Sequence, residues 1–472
     1  MSDFFSTNSA INICVQSASD MLWTYLLIAV LIILGIFFTW KTRFVQFRMV
    51  GEMFRLLLES NKSTGKQHVS SFQAFAVSVA TRVGTGNLAG VATAIALGGP
   101  GAIFWMWIIA LIGSATAFVE STLAQLYKRK LADGSFVGGP AYYILHGLHS
   151  RWMSMTFALL LIITFGLCYN SIQSHTICSA LNQAFGFDPL IVGLVIAAIT
   201  IVIIFGGIRR ISYVSSILVP IMAIGYLILA LVVLAMNYTL IPHMFKVIVQ
   251  DAFGVGPFAG GAIGATMMMG IKRGLFSNEA GEGSAPNVAA TAHVSHPVKQ
   301  GLIQALGVFT DTLLVCSCTA FIILISGVYQ TGDLNGIVLT QASLQSQIGD
   351  SGVIFVAVAI LLFAFSSIIG NYYYGEANIR FLTTNKWVLH VYRFLSGGIL
   401  VIFGAIASLD LVWNLGDLCM AVLTACNLVA ITLLGKYVFE LLKDYRSQKR
   451  LGKDPVFNKS LFPELEEDIE AW

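Results

Sequence analysis

The sequence predicts an all-α integral membrane protein of about eleven transmembrane helices, two inverted five-helix units preceded by one extra N-terminal helix. Three observations carry this: the composition, the number of long apolar runs, and two interrupted runs at matching places. The 472 residues are 57% hydrophobic and 11% charged, with a mean hydropathy of +0.80, against roughly 25% charge in soluble chains. A soluble core cannot hide this much apolar surface, so an apolar solvent is implied.

Apolar runs of about 20 residues cross a hydrocarbon core of about 30 Å. Eleven are present, at 21–40, 71–97, 101–126, 153–180, 188–206, 213–236, 259–290, 298–327, 351–376, 386–407 and 411–438. In lipid only helices and closed barrels satisfy their own backbone, and the runs lack the period-2 alternation of barrel strands. The first 40 residues contain no Lys or Arg, so Met21–Trp40 lacks the basic n-region of a signal peptide and is expected to be a retained span.

Lys and Arg set the orientation. Lys41, Arg43, Arg48, Arg55, Lys62 and Lys66 follow the first run, and Lys128, Arg129 and Lys130 the third. Arg209 and Arg210 follow the fifth, Lys299 the seventh, and Lys436, Lys443, Arg446, Lys449, Arg450 and Lys453 lie at or beyond the end of the last. The alternate loops are nearly free of positive charge, Lys246 excepted. The N-terminus is therefore expected outside and the C-terminus in the cytoplasm of a multi-pass protein, which requires an odd number of spans.

The expected organisation is an N-terminal helix with a cytoplasmic linker (1–70), a first repeat (71–236), an extracellular connector (237–258), a second repeat (259–438) and a cytoplasmic tail (439–472). The connector and the segment 141–148 suit helices lying on the membrane surface. The acidic stretch 463–472 is expected to be solvated.

Two runs are unlike lipid-facing sequence. In ATRVGTGNLAGVA, Ala80–Ala92, three glycines and an asparagine interrupt a span. Gly84, Gly86 and Gly90 read either as close-packing residues of the small-xxx-small kind or as an opened turn. Each glycine weakens a helix by about 1 kcal/mol relative to alanine, and freed backbone groups at membrane depth are tolerated only where they line a cavity or lie in protein. The second run, KRGLFSNEAGEGSAP from Lys272 to Pro286, decides for the opened turn. Glu279 and Glu282 are costly at that depth without a cavity or partner, and broken segments at corresponding places of two halves point to a midplane transport site.

Seven cysteines, six of them in apolar segments, form no CxxC pair; they read as small buried hydrophobes, without disulfide or metal site. The histidines form no metal pattern, no nucleophile–base signature appears, and no phosphate-binding GxxxxGK[ST] loop exists. Enzymatic chemistry, an organic cofactor and ATP drive are not expected. The net charge of +3, without basic tracts, gives no sign of nucleic acid, and no obligate protein partner is evident.

The strings VGTGNLAGVATAIALGGPGAIFWMW, RGLFSNEAGEGSAPNVAATA, HPVKQGLIQALGVFTDT and YYYGE resemble those of the sodium:alanine (alanine or glycine:cation) symporter family, from about Phe72 to Asn427. That resemblance implies the amino acid–polyamine–cation superfamily, a LeuT-type 5+5 inverted repeat with one extra N-terminal helix, and a prokaryotic inner membrane. It also implies cotransport of alanine or glycine with sodium by alternating access. By the same likeness, amides around Gly84, Thr85 and Gly86 would hold a substrate carboxylate, with Phe276, Ser277 and Asn278 facing it. Gln73 would lie near the cavity, and Phe165 and Trp413 would wall it. Asn87, the carbonyls of Ala80 and Val83, and the hydroxyls of Ser366 and Ser367 would ligate sodium. Asp311 lies as deep as Arg82 and is expected either to pair with it or to join the cation site. Asn371 stands where the family pattern has tryptophan. Another substrate (serine, D-alanine or glutamine), proton coupling, or a transporter-like sensor are the alternatives.

Overall fold

Long apolar runs satisfy their backbone as helices, and helices fill this computed structural model. It describes residues 10–59, 69–132, 134–254 and 263–472. Expectations that fall on Lys62, Lys66 or the 259–262 start of the seventh run lie outside the described residues. Among these residues eight helices are long and apolar enough to cross a membrane. The one strand pair among the described residues is the small hairpin of Arg129–Lys130 with Phe136–Val137.

Helix α1 is Asn12–Lys41, and α2, Val50–Glu59, follows it. The first interrupted run is two helices, α3 (Ser71–Arg82) and α4 (Gly86–Gly98), with a break between them. Then come α5 (Ala102–Leu126), α6 (Pro140–Gly147), α7 (Arg151–Phe185), α8 (Pro189–Ile204) and α9 (Gly207–Met236). The connector contains α10, Ile241–Ala252. The second interrupted run is α11 (Ile263–Asn278) and α12 (Ala285–Ala289). The chain continues as α13 (Pro297–Ser326), α14 (Gly336–Ile348), α15 (Asp350–Leu382), α16 (Lys386–Ile406) and α17 (Leu409–Arg450).

Two differences from the sequence reading have plain causes. The short helix α14 contains TQASLQSQ, too polar to register as a span. The last run continues to Arg450, because the lysines, arginines and glutamines beyond residue 438 are good helix formers that need only water around their head groups. At about 1.5 Å per residue this projects α17 well past a bilayer.

Packing divides the helices. α3, α4, α5, α11, α12 and α13 pack on one another, while α7, α8, α15 and α16 form a second group. α9 and α15 touch α3 across the divide, and α17 leans on α1, α5 and α7.

The tail is not simply solvated. Its glutamates face outward, but Phe462, Leu465 and Ile469 are buried. The Phe457 amide donates to Ser295 O at 2.8 Å, Asp454 pairs with Lys299 at 2.6 Å, and Glu470 pairs with Arg129. Trp472 Nε1 donates to Gln125 O at 2.9 Å. Lys128 Nζ sits 4.3 Å from the ring centroids of both Phe136 and Trp472, and burial pushes its pKa down to about 7. The small apolar residues spaced through an acidic stretch are what dock it.

Glu52 of α2 accepts from Arg55 at 2.6 Å and from Tyr445 Oη at 2.6 Å, with Lys449 at 3.3 Å. Burial alone would raise its pKa, but these partners, Arg55 foremost, bring it from 4.5 down to about 2. A depressed carboxylate stabilises the fold fully above its unfolded value and less as pH falls through its folded one. The C-terminal end of α17 is thus expected to loosen between about pH 4.5 and 2. Glu52→Gln should flatten that acid limb in a pH series of proteolysis at the α2–α17 junction; an unchanged limb would rule the contact out as its source.

Candidate functional site

The first break begins immediately after Arg82. Val83 leaves the helical region at φ −78°, ψ 85°, and Gly84 and Thr85 carry the chain to α4. The break closes locally through Asn87, whose Oδ1 accepts from Gly84 N at 2.9 Å. Thr85 N donates instead to Gln173 Oε1 of α7 at 3.1 Å. Space forces glycine here: a Cβ on Gly84 would lie 2.2 Å from Ser367 Oγ, and one on Gly86 3.0 Å from Ser277 Cα.

The second break turns through positive φ at Glu279, Gly281 and Gly283. Its freed amides at Gly281 and Gly283 donate to the two oxygens of Glu120 in α5, at 3.2 and 3.1 Å. Asn427 donates to Glu120 and to Gly281 O, both at 2.9 Å. Glu279 accepts from Ser284 Oγ at 2.6 Å, and Glu282 from Tyr169 Oη at 3.3 Å. The two breaks therefore differ in kind. A carboxylate anchors the second, and a neutral carboxamide covers the first.

Two oxygen clusters flank the first break. In one, Asp311 gathers Asn87 Nδ2 at 2.7 Å, Ser277 Oγ at 2.8 Å and Thr312 Oγ1 at 2.8 Å. α13 widens to a π-helical turn over Phe309–Cys316 to present it, a distortion common at functional sites. In the other, Ser367 Oγ donates to Ala80 O at 2.9 Å and Ser366 Oγ reaches the same carbonyl at 3.3 Å. Both clusters are rich in hard oxygen donors. Phe165, Tyr169, Phe276 and Trp413 form a continuous aromatic wall, with successive centroids 4.6, 4.7 and 4.7 Å apart.

The structure thus brings Ala80, Gly84, Thr85, Gly86, Asn87, Ser277, Asp311, Ser366 and Ser367 together, beside the wall containing Phe165, Phe276 and Trp413. Val83 lies in the break itself. Asn278 borders the site but is spent on the second break: it accepts from Ala280 N at 3.0 Å and donates to Thr312 Oγ1 at 3.2 Å.

Gln73 is not brought to the site. It closes a capping box with Ser70 at the start of α3, about 16 Å of helix from Gly84. Arg82 does not pair with Asp311 either. It donates to Gln304 O at 3.1 Å, since neutral donors already occupy the Asp311 oxygens.

Gln173, Glu120 and Tyr169 are not assigned a role by the sequence. Glu120 stands out there only as an intramembrane charge without a partner, and Gln173 lies in the polar stretch 169–176 of an otherwise apolar span.

Broken helices facing each other within a helical bundle, with oxygen clusters at the break, define a secondary transporter. The solved structure of MhsT in complex with L-phenylalanine has the same fold: TM-score 0.58 at 15% identity, over 80% of this chain and 96% of that one. The chain matches the sodium:alanine symporter family over residues 8–459, and it belongs to that family. It is a multi-pass membrane transporter and not an enzyme. A probable sodium/glutamine symporter, GlnT of Bacillus subtilis, is 53% identical over 96% of this chain and 95% of its own length. The amino-acid carrier protein AlsT of the same organism is 50% identical over 100% and 98%. The sodium/alanine symporter AgcS of Methanococcus maripaludis is 37% identical over 92% and 97%.

Proposed function

We propose that this protein is a sodium-coupled symporter that imports a small neutral amino acid, alanine or glycine, across the inner membrane by alternating access. The observation that carries the reading is the first break, where an amide freed from the helix and covered by Gln173 is flanked by two oxygen clusters. The Thr85 amide and its neighbours suit a substrate carboxylate, with Gln173 giving way to it. Sodium is a hard cation, and oxygens from Asn87, Ser277 and Asp311 on one side, and Ala80, Val83, Ser366 and Ser367 on the other, suit it. Eleven spans are reached by adding α8 and the two broken helices to the eight long ones, and the Lys/Arg asymmetry supports the N-terminus outside and the C-terminus inside. The two units, 71–236 and 259–438, then begin with the two breaks and run in opposite senses.

Radiolabelled alanine uptake into proteoliposomes under an inward sodium gradient, with potassium as control, tests this; no sodium-dependent accumulation of any neutral amino acid would reject it. Asp311→Asn removes a charge while keeping the shape, and is expected to raise the half-saturating sodium concentration at least ten-fold at fixed alanine. Unchanged sodium dependence would remove Asp311 from the coupling site.

Glutamine is a second reading, favoured by one feature besides the name of GlnT. Trp413 Nε1 is buried in the aromatic wall with no hydrogen-bond partner among the described residues, and a side-chain carboxamide oxygen would satisfy it. If glutamine is carried, Trp413→Phe should lower its uptake at least ten-fold more than that of alanine. Equal losses would leave the small-substrate reading.

A further inference from the structure

The first and last spans, α1 and α17, enclose a feature that the transport site does not use. At bilayer depth they line an apolar groove of about 390 Å³, with Val30, Ile33 and Leu34 on one side and Leu428, Val429 and Leu433 on the other. Ile33 and Leu433 are more than half exposed. At the inner end of the same two helices is a second cavity, of about 380 Å³, lined by Lys41, Arg43, Lys443, Arg446 and Arg450 with Phe439 as its floor. Steps of three or four residues, Leu428–Thr432–Lys436–Phe439–Lys443–Arg446–Arg450, keep groove and cavity on one face of α17. Leu433 and Lys443 are about 15 Å apart along the axis.

The cations of this cavity are unbalanced. Among the described residues no carboxylate lies within 4 Å of Lys41, Arg43, Lys443, Arg446 or Arg450, whereas nearby basic residues are paired. Lys449 reaches Glu52, Lys299 reaches Asp454, and Arg129 reaches Glu470. The Arg446 guanidinium is pushed below its ordinary pKa by burial and then by Arg48, Arg450 and Arg43. Snorkelling explains single basic residues at a membrane rim. It does not explain five converging on one cavity, held together without a counter-charge.

We propose that α1 and α17 form a binding site for an anionic diacyl phospholipid of the inner leaflet, its acyl chain in the groove and its head-group phosphate among Arg43, Arg446 and Arg450. The ligand must be amphipathic, because the groove offers almost nothing polar while the cavity gathers five cationic side chains. It must be anionic, because every charge facing the cavity is positive. Basic pockets between spans at the cytoplasmic face have the chemistry that selects acidic head groups. An occupied site would bridge the extra N-terminal helix to the last helix of the second repeat.

The test is native mass spectrometry of the full-length chain purified in mild detergent, titrated with phosphatidylglycerol, phosphatidylethanolamine, and inorganic phosphate. The wild type is expected to retain phosphatidylglycerol at least ten-fold more tightly than phosphatidylethanolamine, and phosphate at the same concentration should not displace it. Arg43→Gln/Arg446→Gln/Arg450→Gln should lose that preference at least ten-fold. Ile33→Trp/Leu433→Trp fills the groove with every charge intact, and should also lose the lipid. These positions are at the surface, and the wild-type preference is read without any variant. Equal retention of the two lipids by the wild type, or an unchanged preference in the arginine variant, overturns the proposal. So does displacement by phosphate with retention in the groove-filled variant, which would make the site one for a free anion. A dimer that dissociates only in the groove-filled variant would overturn it too, by giving the groove to a second copy of the chain.

Discussion

Gly84→Ala is expected to cut sodium-dependent uptake more than 100-fold while leaving expression and helical content unchanged. The added methyl would lie 2.2 Å from Ser367 Oγ, 3.2 Å from Ser367 Cβ and 3.1 Å from Gln173 Oε1. Ser367 cannot simply rotate aside without surrendering the Ala80 carbonyl, and Gln173 cannot retreat without uncovering Thr85 N. One methyl therefore disturbs the Ser367–Ala80 oxygen cluster and the freed amide together. Gly90→Ala is the matched control. Its nearest neighbours would be 3.7 and 3.8 Å away, ordinary contact, so uptake should stay above half of wild type. The pair also separates the two readings of this glycine-rich run. Close helix packing predicts loss at Gly90, an open turn predicts loss at Gly84, and normal transport by Gly84→Ala would end the case for the break as the site.

The largest effect on stability is expected at Asp417. Arg273 of α11 is 2% exposed, and its guanidinium makes a close hydrogen-bonded ion pair with Asp417 of α17. It also lies 4.2 Å from the Trp413 ring, next to the aromatic wall. Removing one member of a buried pair strands the other charge, which costs about 3–5 kcal/mol, while replacing both by apolar groups of similar volume is often neutral. Asp417→Ala should lose that amount in denaturant unfolding in mild detergent, and Arg273→Met/Asp417→Leu should recover most of it. A loss under about 1 kcal/mol for the single change would mean that Lys272, 4.0 Å from Asp417 and 2.9 Å from Asp20, or water, compensates the charge.

A sequence encodes local violations well and directions in space poorly, and the legible part of this protein divides along that line. Both breaks are visible, because glycines and carboxylates inside apolar runs violate the rules of a lipid-facing helix. Ser366 and Ser367 are identified through the resemblance, and they do meet Ala80. Depth along the chain, however, gives a level in the membrane and not a direction around the helix axis. Arg82 and Asp311 match in depth, yet Arg82 turns to Gln304 O. Gln173, 88 positions from Thr85, cannot be singled out, since its polar stretch shows that α7 faces protein but not which residue meets a freed amide. Gln73 is a local signal with a local meaning. Ser70 and Gln73 have the spacing of a capping box, and the helix start explains them without a cavity. Tail docking is hidden because the excess of carboxylates masks the three apolar residues that hold it down.

The cover over Lys128 has a consequence for how the protein is made. Trp472 leaves the ribosome some 340 residues after Lys128. At about 5–20 residues per second that is a delay of roughly 20–70 s. Throughout that interval the ammonium lacks the Trp472 half of its aromatic cover, and the helices as far as α9 can be complete in the bilayer before it arrives. The aromatic lid over residue 128 closes only after residue 472 has been made, so protection of this lysine from an amine-reactive label would time the docking of the segment around Trp472.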